Sequence, residues 1–186
     1  SGGDLTDNII PVGQAFFVQV SADGGSMDIP VDACVHNSTE VYKESRTNYF
    51  ALNITNDANS YSDNTFVRFS QAYANEYETE DATKMYGLAA APQIYTMEGE
   101  HKLKINSRRS AEDIALNLEA GIDATYTFTV SEFSIDGDVI LEDKQTGHTE
   151  ALAANSTYSF TASPEDPADR FVLHFNGMTD VEETAL

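Results

Sequence analysis

The chain has no tryptophan, a single cysteine and few basic residues. The lone Cys34 excludes an internal disulfide and any zinc site built from several cysteines. No apolar run reaches the about 18 residues that a membrane-spanning helix needs. The HExxH, GxSxG, GxGxxG and phosphate-loop motifs are also missing, and the histidines are scattered. These absences predict a chain that is not inserted into a membrane and is not an enzyme.

Acidic residues dominate the charge. Lys plus Arg total 10 against 31 Asp plus Glu, so the formal net charge is −21. Such a chain is a poor partner for nucleic acid and for anionic membranes. With 41% hydrophobic and 10% aromatic residues it is too apolar to be a disordered acidic tail. We therefore expect a folded body with an acidic coat, and 186 residues suit a single domain.

Short runs of alternating apolar residues, separated by turn residues, recur along the chain. The clearest lie between Val139 and Phe175, where three runs each offer one apolar face. They predict a strand meander that closes a sandwich. Further strands are predicted at Gln14–Val20, Ile29–Val35, Arg46–Ile54, Thr65–Ser70, Gln93–Met97, His101–Asn106, Glu112–Leu118 and Thr125–Phe133. The sequence thus predicts an all-β fold, specifically an antiparallel β-sandwich of jelly-roll-like type.

Details of the connections follow from the same pattern. Arg46–Ile54 and Thr65–Ser70 should form a hairpin with a long polar loop, with Phe50, Leu52 and Ile54 facing the core. The Asp136-Gly137 pair predicts a tight hairpin between its flanking strands, because both central residues of a type I′ turn need positive φ. The stretch from Ala72 to Ala91 is the least strand-like and predicts a connection with a helical turn.

One acidic loop offers a candidate ion site. Ca²⁺ takes six to eight oxygen ligands, and Asp57, Asn59 and Asp63 cluster carboxylate and amide oxygens in the polar loop. Their spacing resembles the start of an EF-hand loop, but Tyr61 replaces a ligand and no closing Glu follows. Either a calcium site of another type pins this loop, or the residues form ordinary Asx turns. No other cofactor is predicted.

Tyrosines concentrate around the irregular stretch. Tyr73, Tyr77 and Tyr86 lie there, and aromatic faces are suited to stacking on sugar rings. The alternative is that these rings cap the open end of the core with their hydroxyl groups in water. We expect any binding site to lie in the two irregular parts, Asn53–Asn64 and Ala72–Ala91, because binding residues concentrate where regular structure lapses.

Seven runs together resemble one recurring module. They are Pro11–Val18, Asn64–Phe69, Glu80–Lys84, Pro92–Tyr95, Leu103–Asn106, Ile140–Thr146 and Tyr158–Phe175. In order and spacing the runs are similar to the β-sandwich domain that precedes the C-terminal sorting domain in proteins exported by the type IX secretion system of Bacteroidota. The most telling parts are LEDKQTG and the pair YSFTA and RFVLHF.

This resemblance implies a non-catalytic module of a larger secreted or cell-surface protein. Its function would be adhesion, interaction or spacing, with a glycan, a surface protein or other domains of the same chain as partners. The competing hypothesis is a carbohydrate-binding module attached to a secreted hydrolase. The predicted boundaries are a tag scar or linker at 1–9, one domain at 10–175, and a linker toward a following domain at 176–186.

Overall fold

A computed structural model describes residues 48–177, which form eleven β-strands and no helix. The strands are β1 (Tyr49–Asn56), β2 (Ser62–Phe69), β3 (Ala82–Thr83), β4 (Gln93–Glu98), β5 (His101–Arg108), β6 (Ile114–Glu119), β7 (Ala124–Phe133), β8 (Asp138–Asp143), β9 (His148–Leu152), β10 (Thr157–Ala162) and β11 (Phe171–Asn176). The all-β prediction is confirmed. No helix in this part of the chain is long and apolar enough to cross a membrane.

All eleven strands belong to one mixed sheet that nearly closes into a barrel. Its order is β10-β7-β1-β2-β5-β4-β6-β11-β8-β9, and β3 pairs with β5 off this path. The predicted purely antiparallel arrangement is wrong at one place, because β2 and β5 run parallel, with Phe66 opposite Ile105. That pairing is possible because the connection between β2 and β4 is long enough for a crossover.

The core is built from the side chains on the inward-facing side of each strand. Phe50, Leu52 and Ile54 are fully buried, as predicted from their alternation. Phe171 and Leu173 are also fully buried, and they join the same hydrophobic cluster as the residues of β1. The predicted hairpin of β1 and β2 is confirmed, with Tyr49 opposite Arg68. The polar loop between these strands is shorter than predicted, since it lies between Asn56 and Ser62.

The segment between Val139 and Phe175 is not a meander. β8 pairs with β9 and with β11, whereas β10 pairs with β7 at the other end of the sheet order. β9 was not predicted, because four of its five side chains are exposed or half-buried and show no apolar alternation. Side-chain contacts, which the strand pattern does not reveal, link β10 to β8 and to Arg170, the residue before β11.

The predicted Asp136-Gly137 hairpin is wrong. β7 and β8 do not pair with each other, since β7 lies between β10 and β1, and β8 lies between β11 and β9. Gly137 has a positive φ of 149°, but Asp136 does not have a positive φ, so the turn is not of type I′. The amide of Ser134 donates to the carbonyl of Tyr49, which keeps the end of β7 against β1.

The stretch from Ala72 to Ala91 is a connection, as predicted, but it contains no helix. It holds separate hydrogen-bonded turns and the two-residue strand β3. The predictions for Gln14–Val20, Ile29–Val35, Cys34 and the segment 1–9 lie outside the described residues. Of the segment 176–186 only Asn176 and Gly177 are described, and Asn176 is the last residue of β11.

Candidate functional site

The connection between β2 and β4 carries an unusual number of exposed apolar side chains. Within the described residues five large hydrophobic side chains are exposed, and four of them lie between Tyr77 and Leu88. The four are Tyr77 (41% exposed), Met85 (63%), Tyr86 (50%) and Leu88 (62%). Large apolar side chains grouped on a surface mark a candidate interaction site. We call residues 77–88 the exposed segment.

The beginning of the exposed segment is attached to β5. The carboxylate of Asp81 accepts a 2.7 Å hydrogen bond from the amide of Ser107 and a 3.0 Å bond from the amide of Glu78. The next two residues form β3, which pairs with β5. Asp81 is buried, and its short acceptor side chain suits the turn that precedes the strand. The backbone that follows Tyr77 is therefore attached to β5.

The end of the connection is also closely packed. At Gly121 an added Cβ atom would lie 2.5 Å from the carbonyl carbon of Ala90 and 2.6 Å from the carbonyl oxygen of Ala89. Only glycine allows this approach of two backbones. In addition, Asn59 donates to the carbonyl of Ala90 at 3.2 Å, which joins the loop after β1 to the same place.

A buried ion cluster lies under the exposed segment. Asp63 on β2 accepts hydrogen bonds from Lys84 (2.5 Å) and Lys104 (2.8 Å), and from the amide of Ile94 (2.8 Å). The Lys84 side chain is only 2% exposed. Burial alone would raise the pKa of Asp63, but the bonds from Lys104 and Lys84 outweigh it and lower that pKa. The cluster ties β2, β4, β5 and the exposed segment together.

Tyr86 belongs to a second polar cluster. One carboxylate oxygen of Glu119 accepts from the hydroxyl groups of Tyr86 and Tyr95, both at 2.7 Å, and from Lys102 at 2.9 Å. Lys102 also donates to the Tyr86 hydroxyl at 2.6 Å. Burial and the neighbouring Glu119 raise the pKa of Tyr95 to about 12, so its hydroxyl stays a donor. The Tyr86 ring is thus held in one orientation although half of the residue is exposed.

The structure does not bring the three predicted tyrosines into one contact group. Tyr77 stacks on His101 with ring centroids 4.0 Å apart and an interplanar angle of 11°. Tyr73 is half-buried, and its ring lies under the guanidinium of Arg68, 4.8 Å from the ring centroid. Tyr86 has a ring contact with Tyr95 instead. The three rings therefore do not form one shared platform, and ligand binding by these tyrosines stays a prediction.

The predicted calcium ligands have protein partners. Asp57 accepts from the amide of Thr125 at 3.0 Å, and Asn59 accepts from the amide of Tyr61 at 2.9 Å, which is an Asx turn. Asp63 is directed to the two lysines of the buried cluster. Between residues 48 and 177 no group of three or more His, Cys, Asp or Glu side chains is placed to hold a metal ion. Calcium binding stays a prediction.

Sequence reasoning missed the cations around the tyrosines. Lys102 and Lys104 are two residues apart on β5, and each is paired with a carboxylate that is distant in sequence. The only local signal is the alternation of lysines in the run HKLKIN, and such an alternation is ordinarily a solvated strand face. Glu119 and Asp63 come close to Lys102 and Lys104, respectively, only when β2, β5, β4 and β6 assemble into the sheet.

Comparison with known proteins identifies a family but no function. The chain matches a family described as a domain of unknown function (DUF8693) over residues 2–175. No curated protein and no solved structure matches the chain.

Proposed function

We propose that this chain, which belongs to the DUF8693 family, is a non-catalytic extracellular module of a larger secreted or cell-surface protein. Its role is adhesion, interaction or spacing. The observation that carries the proposal is the exposed segment, where Tyr77, Met85, Tyr86 and Leu88 stand out from a backbone fixed by buried polar contacts. A surface that is apolar and already ordered loses little entropy when it binds a partner.

Several parts of this proposal depend on the sequence resemblance alone. They are the type IX export route, the Bacteroidota source, the placement before a sorting domain, and the extracellular location. The jelly-roll-like sandwich is likewise part of the proposal. The alternating pattern of the strands supports it. So does the sheet, because β10 and β9, which stand at the two ends of the strand order, both contribute side chains to the same hydrophobic core.

The exposed segment is tested by removing its apolar atoms. We would measure binding of the protein to immobilised host and bacterial surface glycoproteins, with the triple variant Met85→Ser, Tyr86→Ser, Leu88→Ser beside the wild type. Tyr61→Ser is the matched control, because Tyr61 is 39% exposed but lies outside the segment. We expect the triple variant to lose binding and the control to keep it. Equal binding by all three proteins would refute the proposal for this surface.

Carbohydrate binding in the service of an attached hydrolase is the second proposed function. The exposure of Tyr77 and Tyr86 favours it, since both rings reach the solvent in fixed orientations. A glycan array distinguishes the two functions. If the wild type binds glycans on the array and Tyr86→Ser does not, the carbohydrate-binding function is supported. If the wild type binds no glycan on the array but binds the immobilised surface proteins, the adhesive function is favoured and carbohydrate binding is rejected.

A further inference from the structure

Two arginines stand apart from the other basic residues of the described chain. Eight lysines and arginines fall within residues 48–177. Six of them, Lys84, Lys102, Lys104, Arg108, Lys144 and Arg170, form ion pairs with carboxylates. In this part of the chain Arg68 and Arg109 have no carboxylate partner, although the whole chain has 31 acidic residues and only 10 basic ones. An unpaired cation is therefore unexpected here.

The two unpaired arginines flank the same tyrosine. The guanidinium of Arg68 lies over the Tyr73 ring, with its Cζ atom 4.8 Å from the ring centroid. Arg109 donates from its Nε atom to the carbonyl oxygen of Tyr73 at 2.9 Å. Two positive charges thus meet at one residue that the sequence had indicated as a ligand-binding candidate.

Several donors at this place have no partner within the described residues. Arg68 uses Nε on Ser107 and Nη2 on the carbonyl of Glu80, which leaves its Nη1. Arg109 uses only Nε, so both of its terminal nitrogens are available, and Arg109 is exposed. The Tyr73 hydroxyl group also has no partner in this part of the protein. These groups can all donate to an oxygen atom of a ligand.

The backbone that carries Arg109 is held in place. The side-chain oxygen of Asn75 accepts from the amides of Arg109 (3.0 Å) and Ser110 (3.1 Å). Glu112 is bonded to the same asparagine, and its other oxygen accepts from Arg108 at 2.9 Å. Glu112 is therefore a carboxylate that reaches this loop, and it is bonded to Arg108, which is also paired with Glu98, and not to Arg109. The turn thus holds Arg109 in a place where its side chain is bonded to the carbonyl of Tyr73 and to no carboxylate of the described residues.

We propose that Arg68, Tyr73 and Arg109 form a binding site for the carboxylate of an acidic sugar, such as a uronic acid unit at the end of a saccharide. A guanidinium group binds a carboxylate through two parallel hydrogen bonds, which matches the free terminal nitrogens of Arg109. The Tyr73 hydroxyl is suited to a neighbouring sugar hydroxyl group. The inference rests on the carbohydrate-binding function proposed above, and it adds the ligand class.

The charge of the whole protein selects a ligand with a single acidic group. A net charge of −21 repels polyanions, such as nucleic acid or acidic peptides with many carboxylates. A single sugar carboxylate meets the local pair of cations and little of the acidic coat, since interactions between exposed charges are screened beyond about 10 Å at moderate salt. An acidic peptide is the competing ligand, and the experiment includes it.

The test is an NMR titration of the isotope-labelled full chain. The probes are an oligosaccharide ending in glucuronic acid, the same oligosaccharide ending in glucose, acetate alone, and a short peptide rich in glutamate. We expect the acidic saccharide to shift the Arg109 side-chain and Tyr73 signals, and to bind at least about 10-fold tighter than the other three probes, since charge-assisted hydrogen bonds are the strong ones.

Three variants make the result specific. Arg109→Gln should weaken binding of the acidic saccharide about 10- to 100-fold. Arg109→Lys keeps the charge but not the planar fork, so its loss should be smaller. Lys144→Gln is the matched control, because it removes one exposed positive charge that lies outside the site, and it should bind like the wild type. Preserved spectra in the absence of ligand show that each variant is folded.

The inference is overturned if Arg109→Gln binds like the wild type, or if glucose, acetate or the peptide binds as tightly as the acidic saccharide. The exposed segment is assessed separately with the triple variant at Met85, Tyr86 and Leu88, which should keep this binding. If neutral glycans bind through Tyr86 while glucuronic acid does not bind, carbohydrate binding stands and only the acidic-sugar site is rejected.

Discussion

Arg170 and Asp143 form a bidentate ion pair inside the protein, with Nε to Oδ1 at 2.8 Å and Nη2 to Oδ2 at 2.6 Å. Their side chains are 7% and 1% exposed. Tyr158 donates to the same carboxylate at 2.9 Å, and Arg170 donates to the carbonyl of Thr161 at 2.8 Å. The pair therefore connects β8, β10 and the residue before β11, which lie toward opposite ends of the sheet order.

Three motifs from the proposed sequence resemblance meet at this ion pair. LEDKQTG supplies Asp143, YSFTA supplies Tyr158 and Thr161, and RFVLHF begins with Arg170. In the structure their contribution is architectural, because they hold the nearly closed sheet together. The proposed binding surfaces are elsewhere, at the exposed segment and at the arginines around Tyr73.

The first prediction concerns the ion pair. Arg170→Met should lower the free energy of unfolding by about 3 to 5 kcal/mol, because it leaves a buried carboxylate without its partner. Chemical denaturation measures this change. Lys144→Met is the control, since Lys144 pairs with Asp169 on the surface and should cost less than about 1 kcal/mol. Equal effects of the two substitutions would contradict the importance of the buried pair.

The second prediction concerns acid stability. Burial alone would raise the pKa of Asp143, but the bonds from Arg170 and Tyr158 outweigh burial and lower it from 3.8 to about 2. A carboxyl group with a lowered pKa stabilises the folded state at pH values above the pKa that the group has in the unfolded chain. This contribution is lost as the pH falls from about 4 to about 2. The loss amounts to about 2 kcal/mol.

Urea denaturation of the wild type and of Asp143→Asn between pH 2 and pH 6 measures this loss. The wild type should lose more stability on acidification than the variant, so their difference should shrink toward pH 2. Parallel curves would mean that Asp143 does not have a lowered pKa. Asp63 and Glu119, whose pKa values are also lowered, contribute to the acid loss that remains in the variant.

The third prediction concerns the core. Phe171 is fully buried and contacts the rings of Phe128 and Phe160, with centroids 5.0 Å and 4.8 Å apart. Phe171→Ala should cost about 3 to 5 kcal/mol as a cavity-forming truncation. Val172→Ala is the neighbouring control, because Val172 has the opposite parity and is only half-buried. A melting temperature unchanged within a degree or two in Phe171→Ala would place this ring outside the core.

The fourth prediction concerns His174. Its ring nitrogens lie 2.8 Å from Asp113 and 2.8 Å from Glu142. Burial alone would lower the pKa of His174, but the two carboxylates outweigh burial and raise it above 6.5. A raised pKa stabilises the folded state below pH 6.5, and this contribution is lost as pH rises through the folded value.

NMR titration of the His174 ring checks this assignment. Asp113→Asn should lower the pKa of His174, and His174→Gln should reduce the loss of stability between pH 6 and pH 9. If the pKa of His174 is the same in the wild type and in Asp113→Asn, the carboxylate contact does not stabilise the charged ring.

The fifth prediction concerns calcium at Asp57, Asn59 and Asp63. Stabilisation should be weak at most, because the Asp63 carboxylate already accepts from two lysines. Thermal melting is measured with EDTA and with 1 mM Ca²⁺. The free energy of unfolding under the two conditions should differ by less than about 1 kcal/mol, which corresponds to a calcium dissociation constant near or above the millimolar range. A larger stabilisation by calcium that disappears in Asp57→Asn would show that a calcium site forms after all.

The sequence predicts local features of the fold well and long-range pairings poorly. Alternation identifies the core face of β11, because a strand with one buried face has a period of two. In β1 it identifies the side chains that join the hydrophobic cluster, although Tyr49 and Ala51 on the other face are buried as well. The parallel pairing of β2 with β5 leaves no local mark, since it depends on where the connection returns to the sheet. The same applies to β10, which pairs with β7 and not with β9 or β11, its neighbours in sequence.

The candidate site shows the same division. The concentration of tyrosines pointed to the connection between β2 and β4, and four exposed apolar side chains lie there. The sequence could not show that Asp63 belongs to the lysine cluster, because Lys84 and Lys104 are 21 and 41 residues away from it. Nor could it show that Arg68 and Arg109 meet at Tyr73, which requires the crossover to be in place.

The most direct test of the account compares binding and stability in one triple variant, Met85→Ser, Tyr86→Ser, Leu88→Ser. Met85 and Leu88 are exposed, but Tyr86→Ser also removes the hydrogen bonds to Glu119 and Lys102, so we expect the melting temperature to fall by no more than about 5 °C. Binding to the surface ligand that the wild type retains should be lost. A variant that is as stable as the wild type and still binds would contradict the claim that the exposed segment is the interaction surface of this module.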